Sequence, residues 1–465
     1  MAGDSSVPAH ADAPGLIRAY DAAVGGIASA VRGICRLSRI GGGTSLPGLV
    51  VQRLDPGFVA RRSRLLPDGV TVVSGTNGKT TTAAMLSCIL SAGSRQTVTN
   101  HSGANLFRGV AAALARAPST ASAGVFEVDE GGLDRLVPLL RPRVLVLTNV
   151  FRDQLDRFGE PETVSRLLRE AAELLPPGAT VVANADDPVL WHSVQHLRPV
   201  GFGVQGARSR SGARLEGEPE LCPRCGSGLS YSSRTMAHLG QAHCGRCDWG
   251  SRAPHLAATL AELPRLSSMS VSIGERSLDL HLGGIHNAYN AAAAIAAASV
   301  FGIPQADSVR ALEDFHPSFG RTEELEFRGR RLWLLLAKNP AGTSATVGQV
   351  LADRRARTVV IMVNDRSADG RDVSWIWDAD FESLVQRGVR IVAGGTRAAE
   401  VAVRVKYAGG QVIAAEEDTA WALAVAAEAA LHTETVCVLA TYTAMLEVRK
   451  AVLDSRVARV EEMAA

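Results

Sequence analysis

Residues Gly75-Thr76-Asn77-Gly78-Lys79-Thr80-Thr81 combine glycines, an amine and hydroxyls at a spacing suited to phosphate chemistry. Glycines let the backbone wrap around phosphate oxygens, and the amides at the start of a helix point at them. Lys79 can reach the β- and γ-phosphates, and the Thr80 hydroxyl can ligate Mg2+. The usual spacing places a glycine at position 73, where Val73 stands, so the loop is the shorter Gly-Thr-Asn-Gly-Lys-Thr kind. An ordinary glycine turn would need neither the lysine nor the hydroxyl. ATP and Mg2+ are the expected ligands of Gly75 to Thr81.

Other groups with chemical potential follow apolar runs. Glu127-Val128-Asp129-Glu130 ends one such run. Glu127 there suits a second contact to nucleotide-bound Mg2+, because hard cations take oxygen ligands. Its alternative is an acidic loop facing solvent. Thr148-Asn149 through Asp153-Gln154-Leu155-Asp156-Arg157 offers an amide and acids at another strand end. Asn184-Ala185-Asp186-Asp187-Pro188, taken alone, reads as a helix cap. In Gly284-Ile285-His286-Asn287-Ala288-Tyr289-Asn290 the two asparagines share one helix face. Asn287 could bond an adenine edge or cap the helix. Arg321, at a junction between two alternating regions, could reach across a cleft to a phosphate, and Lys338 should face the same cleft. The stretch Asn364 to Asp378 holds Asp365, Asp369, Asp372 and Asp378 with Arg366, Arg371, Trp375 and Trp377. It reads as a binding or partner surface, or as a loop anchored by its tryptophans.

Cys222-Pro-Arg-Cys225 and Cys244-Gly-Arg-Cys247 form two Cys-x-x-Cys pairs. That pattern predicts a closed structural Zn2+ ribbon, with Arg224 and Arg246 offsetting the charge of four thiolates. His238 or His243 could replace a cysteine, and a redox pair is the other alternative, but neither pair sits on a βα turn.

The elements that must position these groups alternate. Expected strands are Val70 to Val73, Ala123 to Val128, Val144 to Thr148 and Thr180 to Asn184; expected helices include Thr80 to Ser91, Pro161 to Leu175 and Ala288 to Val300. A second set of strands covers Arg331 to Ala337, Thr358 to Val363, Val389 to Ala393 and Thr435 to Ala440. This is an α/β chain with mostly parallel sheets, whose ligands belong at the carboxyl ends of strands. The expected division is a helical segment over 1–60, including an amphipathic helix over 15–38 and a Gly41-Gly42-Gly43-Thr44 turn. An ATP-binding unit over 61–318 follows, with the ribbon inserted at about 219–252, and then a unit over 319–465.

The 465 residues are 46% hydrophobic and 21% charged, with net charge +2 and 5% aromatics. Nothing there argues for nucleic acid. No apolar run is long enough to cross a bilayer, and the first residues lack a secretory pattern, so a cytoplasmic protein is expected.

Taken together, the phosphate loop, Glu127, Asn149 to Asp156, Asn184 to Pro188, His286 to Asn290 and Gly320-Arg321 resemble the Mur ligase superfamily. Its members activate a carboxylate with ATP as an acyl phosphate and attack it with an amine. Four departures narrow the resemblance. The chain before Val70 is too short for a UDP-binding domain. The family's Asp-His-Leu-Asp is Asp153-Gln154-Leu155-Asp156, its Asp-Tyr-Ala-His-Asn-Pro is Leu336-Ala337-Lys338-Asn339-Pro340, and a zinc ribbon is inserted. With the Asp369 to Asp378 block, the chain is similar to the ligase subunits of lipid II isoglutaminyl synthases. The resemblance implies amidation of the α-carboxyl of D-glutamate in the lipid II stem peptide, at the inner membrane surface. Catalytic roles would fall to Lys79, Glu127, Arg321 and Lys338, with Asn287 and Arg321 among the nucleotide contacts. Ammonia would come from a GatD-like glutamine amidotransferase partner in a heterodimer, whose Cys-His pair would be completed by Asp369, Asp372 or Asp378. A nucleophilic thiol of this chain's own is not expected, because Cys35, Cys88 and Cys437 lie in helices or a core-like strand. An amino-acid-adding ligase and a non-catalytic ATP-binding scaffold are the alternatives.

Overall fold

Strand β1 (Gly69–Ser74) is buried on both faces, as a parallel strand covered by helices on each side must be. Its side chains alternate between two cores. Val73 joins Val125 and Val146 against the Lys79–Ala92 and Ile285–Val300 helices. Val72 joins Phe126 and Leu145 in a second core with Val110, Leu136 and Leu168 from helices on the opposite side. Burial of each such Val or Leu contributes about 1.5–3 kcal/mol.

The computed structural model describes residues 24–27, 30–31, 33, 45–100, 105–153, 161–206, 220–262, 264–316 and 322–464. Most of the expected 15–38 helix, the Gly41–Thr44 turn and the 317–321 junction lie outside them. The first sheet also contains β2 (Thr97–Thr99), β3 (Ala123–Glu127), β4 (Val144–Leu147), β5 (Thr180–Asn184) and β6 (Val200–Gly206). Beyond the ribbon strands β7 (Leu229–Met236) and β8 (Leu239–Cys244), it gains β9 (Leu256–Leu260), β10 (Met269–Ile273) and β11 (Arg276–Leu280). Its order is β11-β10-β9-β6-β5-β4-β1-β3-β2, parallel from β2 through β9 and antiparallel at β10 and β11. Because the strand order reverses at β1, with β3 on one side and β4 on the other, a crevice opens at the carboxyl ends of these parallel strands.

The second sheet has order β12-β13-β17-β14-β15-β16. These strands are β12 (Glu323–Phe327), β13 (Arg330–Leu336), β14 (Ala356–Met362), β15 (Arg390–Gly394), β16 (Val412–Glu416) and β17 (Thr435–Ala440). Only the β12–β13 pair is antiparallel. Ala291 to Ala294 are fully buried in the Ile285–Val300 helix, which packs on the first sheet and the Lys79–Ala92 helix at once; small side chains permit that approach. The Phe58–Arg64 helix crosses the boundary expected at residue 60, and its Phe58 and Val59 belong to the second of the two cores. Among the described residues no helix is long and apolar enough to cross a membrane.

Candidate active site

Four strand ends of the first sheet meet at one rim. The turn after β1 brings Gly75 and Gly78, both at positive φ. A Cβ on Gly75 would lie 2.4 Å from Thr148 Oγ1, and one on Gly78 would lie 2.2 Å from Asn290 Oδ1. Only glycine keeps this cradle open at phosphate size. Thr76 and Asn77 are fastened to the loop after β4. Thr76 N donates to Asn149 O at 2.9 Å, Asn77 N donates to Asn149 Oδ1 at 2.9 Å, and Asn149 Nδ2 donates to Asn77 O at 3.1 Å.

The register Val73↔Glu127 between β1 and β3 sets the acidic side of the rim. Thr80 Oγ1 donates to Glu127 Oε2 at 2.6 Å, so two hard oxygens already stand together where a cation could join them. Asn100, which the sequence did not single out, holds the Glu127 backbone. Its Nδ2 donates to Glu127 O at 2.7 Å, and Glu127 N donates to its Oδ1 at 2.9 Å.

Lys79 Nζ donates to Gly75 O at 2.6 Å and lies 3.2 Å from both oxygens of Glu130. Both side chains are buried. Burial alone would push the Glu130 carboxyl up, but the Lys79 ammonium and a hydrogen bond with Asp129 override it and hold the group down to about 2. Burial would lower the Lys79 ammonium, yet the surrounding carboxylates, Glu130 foremost, keep it above its ordinary value. A carboxyl depressed below its ordinary 4.5 supplies stability that is fully present above about pH 4.5 and is lost as the pH falls toward about 2. Urea midpoints measured down that range should fall more steeply for the wild type than for Glu130→Gln; parallel curves would refute the pairing.

The second sheet closes the rim from the other side. Asn339 Nδ2 donates to Asn77 Oδ1 at 3.0 Å, and Lys338 Nζ donates to Asp153 Oδ2 at 3.0 Å. Arg152 Nη1 donates to Asp378 Oδ2 at 3.1 Å. Asn339 also caps its own helix, Pro340–Ala352, by accepting from Gly342 N at 2.8 Å. Asn290 Oδ1 accepts from Thr82 Oγ1 at 3.2 Å, and Asn287 Nδ2 donates to Gly283 O at 2.7 Å. A cavity of about 570 Å³ adjoins this helix start, lined in part by Arg265, Gly284, Ile285, Gln349 and Arg354.

The remaining expected residues are dispersed. Arg321, Gln154, Leu155, Asp156 and Cys35 lie outside the described residues. Asp369 is buried and caps the last helix, Tyr442–Ala464, accepting from Thr443 N at 2.7 Å. Asp372 is exposed and accepts from Ser374 N at 2.8 Å. Trp375 packs on the core of the second sheet, whereas Trp377 is 47% exposed, with Tyr407 at 75% beside it at 5.4 Å between ring centroids. Burial raises the thiols of Cys88 and Cys437 above their ordinary range.

The four ribbon thiols lie within 4.8 Å of one another, with Cys222–Cys247 at 3.5 Å and Cys225–Cys244 at 3.6 Å. A tetrahedral tetrathiolate Zn2+ site has sulfurs about 3.8 Å apart, so the donors fit that ion. His238 lies elsewhere, fully buried at the hairpin tip, and His243 is exposed on β8; among the described residues neither joins the cluster.

Residues 73–219 match the Mur ligase middle domain family, and residues 336–445 match the MurT ligase C-terminal family. A lipid II isoglutaminyl synthase (glutamine-hydrolyzing) subunit MurT from Streptococcus pneumoniae is 34% identical over 436 residues, 91% of this chain and 96% of that protein. The Staphylococcus aureus protein of the same name is 32% identical over 79% of this chain and 83% of its own. Among solved structures, a pseudomurein peptide ligase type C from Methanothermus fervidus aligns with TM-score 0.66 and 20% identity over 84% of this chain and 79% of that one. MurF ligase from Thermotoga maritima, in complex with ADP, aligns with TM-score 0.59 and 14% identity over 88% and 85%. The fold is that of the Mur ligases, and the chain belongs to the MurT family.

Proposed function

We propose that this chain is the ligase subunit of a lipid II isoglutaminyl synthase. It uses ATP to amidate the α-carboxyl of D-glutamate in the stem peptide, giving D-isoglutamine. The observation that carries this reading is near full-length similarity to the MurT subunits, together with a rim that keeps Lys79, Thr80 and Glu127 side by side.

The chain's own residues divide the work as follows. Gly75 to Thr81 cradle the phosphates, and Lys79 follows the charge that builds on the transferred group. Thr80 and Glu127 would hold Mg2+, which neutralises phosphate charge. Asn287 and the cavity beside Ile285 would receive the adenosine end. The substrate carboxylate attacks the γ-phosphate, ADP leaves, and ammonia displaces phosphate from the acyl phosphate. Lys338 and Arg321 would stabilise the charge added in that step. Cys222, Cys225, Cys244 and Cys247 would bind structural Zn2+.

Ammonia is assigned to a GatD-like glutaminase partner, since the MurT relatives are subunits of a glutamine-hydrolysing synthase. The exposed Trp377 and Tyr407 offer that partner an aromatic anchor, and one of Asp369, Asp372 and Asp378 would complete its catalytic pair. A lipid-linked acceptor would bring the chain to a membrane surface, and its use of ATP would put that surface on the cytoplasmic side.

The test is mass spectrometry of lipid II incubated with the chain, ATP, Mg2+ and ammonium. Conversion of one carboxylic acid to a carboxamide is expected. An added amino-acid mass, when amino acids are supplied instead, would move the chain to the peptide-forming ligases. No product with the partner also present would leave a scaffold.

A further inference from the structure

The ribbon is joined to the phosphate loop by a continuous run of buried contacts. Its hairpin has two ends. At one end stands the four-cysteine cluster, with Ala242 and Trp249 as a small core of its own. At the other, Thr235, Ala237, His238 and Leu239 are all at most 4% exposed, and Ala237 and Leu239 belong to the core under the ATP-binding sheet. Strand β8, six residues long, runs directly from Leu239 to Cys244.

Near its start, β8 grips the turn after β5. Gly240 N donates to Asp186 O at 2.8 Å, and Gln241 Nε2 donates to Asp186 Oδ1 at 2.7 Å. The other carboxylate oxygen of Asp186 accepts from Val204 N at 2.8 Å and from the Tyr289 hydroxyl at 2.9 Å. The neighbouring Asp187 has one oxygen 3.5 Å from His238 Nε2, while its second oxygen accepts from Val150 N at 2.7 Å. Val150 lies between Asn149, which fastens Thr76 and Asn77, and Phe151, whose N donates to Thr76 Oγ1 at 3.0 Å. The Phe151 ring meets the His238 ring edge-on at 4.8 Å. The hydrogen-bonded members of this run, Gly240, Gln241, Asp186, Asp187 and Val150, are stiff, because each costs free energy if its partner moves away, and His238 packs between Asp187 and the Phe151 ring.

We propose that the ribbon hairpin braces the nucleotide loop, with His238, Gln241, Asp186 and Asp187 as positioning residues that pass the order of the metal cage to Thr76 and Asn77. The proposal rests on ATP binding at residues 75–80. Metal in the cage fixes the position of β8. The hairpin tip then holds the 149–151 loop against the phosphate loop. Metal and ATP are therefore coupled ligands, and the coupling is reciprocal.

Two readouts on the full chain test this. Hydrogen exchange of the amides in 75–80 and 149–151 should quicken when a chelator strips the cage, while exchange in β14 stays unchanged. The Kd for ATP should weaken by about 5–150-fold on stripping, and adding Zn2+ alone should restore it. In the metal-loaded His238→Ala and Gln241→Ala variants, ATP should bind more weakly, and chelation should add little further loss. Exchange that rises only within 220–252 would overturn the brace. So would an equal effect of chelation on ATP affinity in wild type and His238→Ala. Absence of ATP binding by the loaded wild type is a separate outcome: it would refute the nucleotide reading, and the exchange result would still decide whether the ribbon orders the loop.

Discussion

Lys79→Ala should remove ATP-dependent amidation and also weaken the fold. The ammonium is the one cation bonded to the carbonyls of the phosphate turn among the described residues, and removing such a charge-stabilising donor costs on the order of 10²–10³ in rate. The structural cost arises because Glu130 would be left as a buried, uncompensated carboxylate. Breaking a buried ion pair from one side costs about 3–5 kcal/mol. The double variant Lys79→Ala/Glu130→Gln should recover most of that stability and none of the activity. Urea unfolding and product formation measured on the same three proteins separate the two effects. Retained amidation in Lys79→Ala would refute the assigned role of the loop.

Glu127→Gln is expected to have the second largest effect. The amide keeps the size of the side chain and can still accept from Thr80 Oγ1, so the rim should keep its shape. What it loses is the anionic oxygen that a hard cation prefers. The Mg2+ concentration needed for half-maximal turnover should rise at least about tenfold, with turnover lowered on the order of 10²-fold. Metal-free ATP binding should change little. A Mg2+ titration that superimposes on the wild type would remove Glu127 from the metal site.

Much of this architecture is visible in the chain because parallel strands buried on both faces read as unbroken apolar runs. Val144–Leu147 and Thr435–Ala440 are such runs, and both fold as strands. Strands β10 and β11 escape that reading. They are short, antiparallel and exposed on alternate residues, so polar side chains interrupt them. The site divides in the same way. Lys79, Thr80 and Glu127 are apparent from local spacing, and the four cysteines declare their cage by pattern alone. Partners far apart in sequence are not apparent. Glu130 meets Lys79 only through the β1–β3 register, and Asn339 meets Asn77 only because the two sheets face each other. Asp187 is instructive: it caps the Pro188–Val194 helix, as its local sequence suggests, and it also holds Val150 beneath the phosphate loop. His238 gives no local signal, since a hairpin tip carries no periodicity that marks it as buried.

The most direct test of ATP-driven carboxylate activation at this rim is an isotope experiment. Lipid II carrying heavy oxygen in the α-carboxylate of D-glutamate would be incubated with the chain, ATP, Mg2+ and ammonium, and the inorganic phosphate analysed by mass spectrometry. One heavy oxygen should be transferred to phosphate for each carboxamide formed. Unlabelled phosphate, or label recovered in AMP, would contradict it.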